Sequence, residues 1–538
     1  MPSSRRGFLK SGLGLEAAAA IPSALPRPLA AAPSGDTAEW QLPPADERSV
    51  AELQRDLGTG ALTSVALVEQ CFARMDAVDR SGPRIRAVIE RNPDALAIAR
   101  ERDAERAQGK VRGPLHGIPV LVKDNVDTAD RMRTSAGSLL LADSVAPRDA
   151  HIIERLRAAG AIIIAKANLS EWANFRSTKS SSGWSARGGQ TRNPYVLDRS
   201  PCGSSSGTGA GVSAALAPIG IGTETDGSII CPSAINGLVG HKPTIGLVGR
   251  SGIIPISPSQ DTAGPMARSV ADAYALLLAI AGPDPRDPVT SRARALPADP
   301  GFRPDALKGV RIGVVQNLAG FNGAVDALFK DAVAALRSAG AEPIDVTLPT
   351  AGKYGDAEYE VLLYEFKASL AAYFATLGPA APARSLADAI AFNSREAARE
   401  MPYFGQEIFE VAQRKGPLTD AAYRKARASC LALTRTQGID RALRAQRVQA
   451  LVYPSNGPAW PIDLVNGDRF TGGDSSFAAV SGYPSITVPM GQVQGLPIGL
   501  SFTGAAWSDA QLYGYAFAFE QTTRHRRAPT FRPTIAAE

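Results

Sequence analysis

The chain has 538 residues, 44% of them hydrophobic and 20% charged, with a formal net charge of +6. That length is ample for a large core, and the composition is that of a globular chain rather than a fibrous or disordered one. Part of the positive excess sits in the first 31 residues, where Arg5, Arg6, Lys10 and Arg27 outweigh Glu16; with no basic stripe interleaved with aromatics, nucleic-acid binding is set aside.

In chain order, residues 1–31 read as a twin-arginine-type export signal. Arg5-Arg6 precedes an apolar stretch, Gly12–Leu25, and Leu29-Ala30-Ala31-Ala32 offers small residues for cleavage. Glu16 inside the apolar stretch departs from that pattern, and a basic tail is the alternative. The expected location is therefore periplasmic or secreted. Residues 32–47 read as a linker and 48–538 as one large domain. No other run reaches the ~18 apolar residues of a membrane span, so no stable membrane association is expected.

From Ser49 to Asp79 the pattern is helical, broken at Gly58-Thr59-Gly60, with Val65, Val68, Phe72 and Met75 on one face. Ile118–Val122 is a short apolar run that predicts a buried strand ending at Lys123. A helix over His151–Ala159 stops at Gly160 and leads to a second apolar run, Ala161–Ala165. Val310–Val315 and Pro343–Leu348 predict strands around a helix at Val325–Ala339. Residues 350–447 read as a helical excursion, with Tyr359, Leu363 and Phe366 on one face. Strands return at Ala450–Tyr453, Ser485–Val488 and Ile498–Phe502, before a closing helix, Asp509–Gln521, capped by Ser508. This alternation predicts an α/β core.

Four cysteines, Cys71, Cys202, Cys231 and Cys430, are too few for a disulfide framework. Without a CxxC or His-rich spacing they make no metal site. Buried free thiols are expected, although Cys202 and Cys231 flank the serine region described next.

The chemistry is concentrated in two stretches, Gly113–Asn125 (GPLHGIPVLVKDN) and Ser200–Thr244. The second carries Ser204 and Ser228, each preceded by glycine. A general base near pH 7 is most often histidine, yet only His116, His151, His241 and His525 are present, all in plain contexts. A lysine with a reference pKa of ~10.4 serves instead if burial makes its ammonium too costly. Lys123 at the end of an apolar strand suits that role; a strand-end lysine reaching solvent is the bland alternative. The backbone N–H groups of Thr225, Asp226, Gly227 and Ser228 offer an oxyanion site. The alternatives there are a flexible loop and a phosphate cradle, but no lysine follows in GxxxxGK[ST] order. Asp226 reads equally as a substrate-orienting group and as a structural hydrogen-bonding one. A rival reads Gly203–Gly207 as a G-x-S-x-G elbow, with Ser205 as nucleophile and His241 or His525 downstream. That elbow needs a preceding strand, and Asn193–Cys202 reads as loop.

Val122-Lys123-Asp124, CGSSSG, GTETDGSII and GHKPT together resemble the amidase signature family, most strongly from Gly113 to Ala271. The resemblance implies a single domain with a central mixed sheet flanked by helices. It also implies a serine–cis-serine–lysine triad and no cofactor or metal. Carried over, Ser228 is the nucleophile, Ser204 the bridging serine after a cis peptide bond from Gly203, and Lys123 the base. Thr225, Asp226, Gly227 and Ser228 supply the oxyanion hole, and Ser205 supports the network. Glu224, Asp226, Ile230 and His241 depart from the wider family's usual residues, which bears on substrate contacts more than on the triad. ANLSEWANF (Ala167–Phe175) and ISPSQDTAGPMARSVADA (Ile256–Ala273) are similar to the bacterial peptide amidase branch, which removes ammonia from C-terminal peptide amides; a monomer acting on a peptide amide is expected. The other readings are a hydrolase of small or acyl amides, an amidotransferase component, and a binding protein. The last leaves the coincidence of lysine, paired serines and glycine loop unexplained.

Overall fold

The computed structural model describes residues 40–535; the expected export signal and the first part of the expected linker lie outside the described residues. Of that linker, Pro43 and Asp46 are strapped to the body, as is Arg48 just beyond it. Arg74 Nη1 donates to Pro43 O, and the buried Arg268 donates to the carbonyls of Asp46 and Arg48. The first helix, Val50–Thr59, starts where Ser49 and Glu52 cap each other reciprocally, an arrangement that satisfies two orphan N–H groups. The next, Ser64–Arg74, runs into a π-helical turn at Met75–Arg80. Val68 and Met75 are buried as the spacing predicts, while Val65 and Phe72 are half-buried at the edge of that face.

Eleven strands make one mixed sheet. In chain order they are β1 (Val88–Arg91), β2 (Pro119–Lys123), β3 (Ile162–Ala167), β6 (Ile219–Glu224), β7 (Val239–Lys242), β8 (Thr262–Ala267), β9 (Arg311–Val315), β10 (Glu342–Val346), β11 (Ala450–Pro454), β12 (Ser485–Val493) and β13 (Leu496–Thr503). The remaining two, β4 (Trp184–Ser185) and β5 (Gly189–Gln190), form a separate small hairpin. The order across the large sheet is β1-β3-β2-β6-β8-β7-β12-β13-β11-β9-β10. β3, β2 and β6 are parallel neighbours, and every residue of the three is buried. Strands covered on both faces read as continuous apolar runs, which is why β2 and β3 are legible in the sequence. Helices pack on both sides, and the described residues form a single α/β domain.

The excursion between β10 and β11 is helical as expected. Its main helix, Gly355–Thr376, buries Leu363 and Phe366 against Phe175 and Phe409. Tyr359 lies one turn earlier on the same helical face but is 38% exposed. The last helix runs Asp509–Thr523. Ser508 stands at its start but does not cap it; its hydroxyl donates back to Ala505 O at 2.8 Å. Among the described residues no helix is long and apolar enough to cross a membrane.

Candidate active site

The three parallel strands end at one edge, the place where open α/β sheets present ligand sites. β2 delivers Lys123 there, and β6 delivers Thr223 and Glu224 followed by the turn Thr225–Ser228. Lys123 is fully buried. Its Nζ donates to Ser204 Oγ at 2.7 Å, to Thr223 Oγ1 at 2.8 Å and to Thr223 O at 3.1 Å. Among the described residues no carboxylate bonds to it. Burial lowers its pKa to about 7, opposed by the more distant charges of Glu224 and Asp261. Asn125 Nδ2 donates to Thr223 Oγ1 at 3.0 Å and fixes the hydroxyl that the lysine uses.

The peptide bond between Gly203 and Ser204 is cis, as the family resemblance implies. The loop is held by Ser170 N donating to Ser204 O and by Ser206 Oγ donating to Cys202 O. Helix Ser206–Ser213 follows, completely buried despite its glycine-rich sequence. Its glycines permit this close packing: a Cβ on Gly207 would come within 2.2 Å of Ala87 O. Ser205 joins the two serine loops. Its N–H donates to Ser228 O at 3.2 Å, its Oγ donates to Thr223 O at 3.1 Å, and that Oγ accepts from Thr223 N at 3.2 Å.

Ser228 is 8% exposed. Its hydroxyl has no hydrogen-bond partner among the described residues; the main-chain bond to Ser228 comes from Ser205, next to Ser204, and no described hydrogen bond joins the Ser204 and Ser228 hydroxyls. The N–H groups of Asp226, Gly227 and Ser228 likewise donate to no described group. Glu224 Oε2 accepts from Ile229 N at 2.7 Å and Ile230 N at 2.9 Å, capping the helix Ile230–Ile235 that follows Ser228. Thr225 Oγ1 donates to Asp261 at 2.6 Å. Burial pushes the Asp261 carboxyl up to about 6. A cavity of about 460 Å³ opens beside these groups, lined by Ser204, Thr223, Glu224 and Thr225. Ile253, Ile254, Ile256 and Tyr373 give it an apolar wall.

The elbow reading does not survive this geometry. No strand leads directly into Ser205, β5 having ended at Gln190, and its hydroxyl is spent on Thr223. His241 is buried with Nε2 3.2 Å from Asp509 Oδ1 and its ring edge-on to Tyr513. His525 has no hydrogen bond to any described side chain. The free-thiol expectation is also corrected for one pair. Cys202 and Cys231 form a disulfide that joins the cis-serine loop to the helix after Ser228, whereas Cys71 and Cys430 are free and buried. Sequence reasoning passed over Thr223, Asn125 and Asp261. Thr223 and Asn125 each lie within two residues of a group singled out, so scanning those neighbours for hydroxyls and amides would have flagged them. Asp261 is distant in sequence and carried no local signal. Among the described residues no three His, Cys, Asp or Glu side chains converge to hold a metal ion.

The sequence matches the family described as Amidase over residues 66–513. A probable amidase of Arabidopsis thaliana is 40% identical over 498 residues, covering 90% of this chain and 92% of its own length. A glutamyl-tRNA(Gln) amidotransferase chain of Symbiobacterium thermophilum is 35% identical, over 91% of this chain and 99% of its own. Among solved structures, native peptide amidase from Stenotrophomonas maltophilia superposes with a TM-score of 0.87 at 54% identity, over 90% of this chain and 99% of that one.

Proposed function

The chain belongs to the amidase family and is a hydrolase acting on amides, and from that premise we propose that it removes ammonia from the C-terminal amide of peptides through Lys123, Ser204 and Ser228. The observation that carries this reading is the wholly enclosed Lys123 amino group, 2.7 Å from Ser204 Oγ with no carboxylate bonded to it among the described residues. Similarity to peptide amidase at 54% identity supports the substrate class.

In the proposed reaction the neutral lysine accepts the Ser204 proton while Ser204 Oγ accepts that of Ser228. Ser228 Oγ must first turn toward Ser204, a rotation about one side-chain bond. It then attacks the amide carbon, and the carbonyl oxygen gains its charge facing the N–H groups of Asp226, Gly227 and Ser228. Such preorganised donors are worth about 10²–10³ in rate each. The relay returns its proton to the leaving nitrogen, the C–N bond breaks, and ammonia departs from an ester on Ser228. Water, deprotonated by the same relay, cleaves that ester and regenerates the hydroxyl.

Ser228→Ala and Lys123→Ala should each lower kcat by more than about 10³ while leaving the fold intact; His525→Ala should not. Full turnover by Ser228→Ala ends the assignment. A peptide amide should outperform a free aliphatic amide; the reverse order favours a small-amide hydrolase instead, and turnover only with a partner protein present favours an amidotransferase component. We also infer an exported monomer, with residues 1–31 as the address. The Cys202–Cys231 disulfide supports export, because such bonds persist mainly in oxidising compartments.

A further inference from the structure

The turn Thr225–Ser228 carries both the nucleophile and the oxyanion donors of the proposed reaction, yet it belongs to no helix or strand. What fixes it comes from far along the chain. Ser475 Oγ donates to Asp226 Oδ1 at 2.8 Å and Ser476 Oγ donates to Asp226 Oδ2 at 2.6 Å, across 249 and 250 residues. Both carboxylate oxygens are thus engaged by the protein. Gly227 lies so close to the same segment that a Cβ there would sit 2.7 Å from Ser475 Oγ, and its φ of +79° is one that side chains rarely adopt. On the other side Gln260 Nε2 donates to Thr225 O at 3.2 Å and to Glu358 Oε1 at 2.8 Å. Ser476 opens the helix Ser476–Ser481, whose Phe477 and Ala479 are fully buried, so the serine pair is anchored in the core.

We propose that Asp226 is a positioning residue: through the hydroxyls of Ser475 and Ser476 it holds the N–H groups of Asp226, Gly227 and Ser228 in the orientation that a tetrahedral oxyanion requires. This rests on the reading that Ser228 is the nucleophile. It also decides between the two roles that the sequence left open for Asp226. Of the two, orienting the catalytic turn is the role the geometry supports, since both carboxylate oxygens already accept from protein hydroxyls.

The reason such a clamp matters is geometric. Oxyanion donors act only when they meet the oxygen where its charge develops, and a misplacement of about 1 Å costs on the order of 10²-fold. The turn lies outside helix and strand, and beside the Ser205 N–H on Ser228 O and the Cys231 N–H on Gly227 O the two serine hydroxyls are what reaches its middle.

The test uses a peptide aldehyde on the full chain. Ser228 Oγ adds to the aldehyde carbon, the C=O bond opens to a single C–O bond facing the turn, and the serine proton passes to Lys123 through Ser204. Mass spectrometry first establishes that Ser228 is the residue modified. Asp226→Ala should then lower kcat about 10- to 100-fold and weaken aldehyde binding by a similar factor, with KM within about threefold. Asp226→Asn keeps the shape and one accepting oxygen and should recover kcat to within about fivefold. Ser475→Ala/Ser476→Ala should match Asp226→Ala and serves if that variant does not fold. Wild-type kcat and aldehyde affinity in both Asp226→Ala and the double serine variant overturn the proposal. So does a fall in melting temperature with an unchanged kcat in the folded fraction, which is what a merely structural contact predicts. If the aldehyde modifies another residue in the wild type, the functional reading fails and takes this proposal with it; if it modifies Ser228 and the variants behave as wild type, the positioning role alone fails.

Discussion

Lys123 is surrounded by neutral partners, a hydroxyl and the side chain and carbonyl of Thr223, and this sets the sign of a pH effect. Desolvation is the largest influence on it and favours the uncharged amine; Glu224 and Asp261 oppose that and favour the ammonium. The proposed base works only when uncharged, so kcat/KM should fall as pH drops through about 7, close to tenfold for each further unit. Removing an opposing negative charge should lower the lysine pKa further. Asp261→Asn, which retains an oxygen for the N–H groups of Ile256 and Ser257, should therefore move the acid limb of the profile to lower pH. A limb that stays in place, or moves up, breaks the electrostatic link between these residues.

At the level of elements, two loops and one short helix form the catalytic corner, and the Cys202–Cys231 bond ties them together. Cys202 lies two residues before Ser204, and Cys231 three after Ser228. A bond spanning 29 positions restricts the unfolded chain by roughly 3–4 kcal/mol. Cys202→Ser/Cys231→Ser should lose about that much stability in urea titration, and reductant should destabilise the parent protein but not the variant. Equal midpoints for parent and variant contradict this. The same corner shows where sequence reading works and where it stops. β2 and β3 announced themselves as short apolar runs, and Lys123 stood out at the end of one. β6, Ile219–Glu224, did not, because alternating glycines interrupt its apolar run and the element is buried on both faces with no polar side to set a period. Helix Ser206–Ser213 is composed like a loop, and its glycines matter for tertiary packing that no local pattern records: backbone lies against Gly207, and the side chains of Leu121 and Ala87 lie against Gly211. The motif residues were legible from local wording, whereas Asp261, Ser475 and Ser476 act across distances that no local pattern records. The disulfide was missed for the same reason, since pairing of two cysteines depends on a fold that spacing does not reveal.

At the scale of the whole molecule, the proposed address and the enzyme are separable. Arg5→Lys/Arg6→Lys should leave the protein in the cytosolic fraction with residues 1–31 uncleaved, while the parent is recovered outside it and shortened; the same distribution for both sinks the export reading. The sheet order adds a consequence of another kind. β10 and β11 flank β9 on either side, both parallel to it, so the chain leaves the sheet and re-enters it at almost the same spot after roughly a hundred residues. Ser369, Ala372 and Tyr373 from that detour face the substrate cavity, while Lys123, Ser204 and Ser228 all come from the other side of the chain's midpoint. The detour is therefore not a mere wall: Glu358 on the same helix reaches the catalytic turn through Gln260, so a change of diet made there is also felt where the bond is broken.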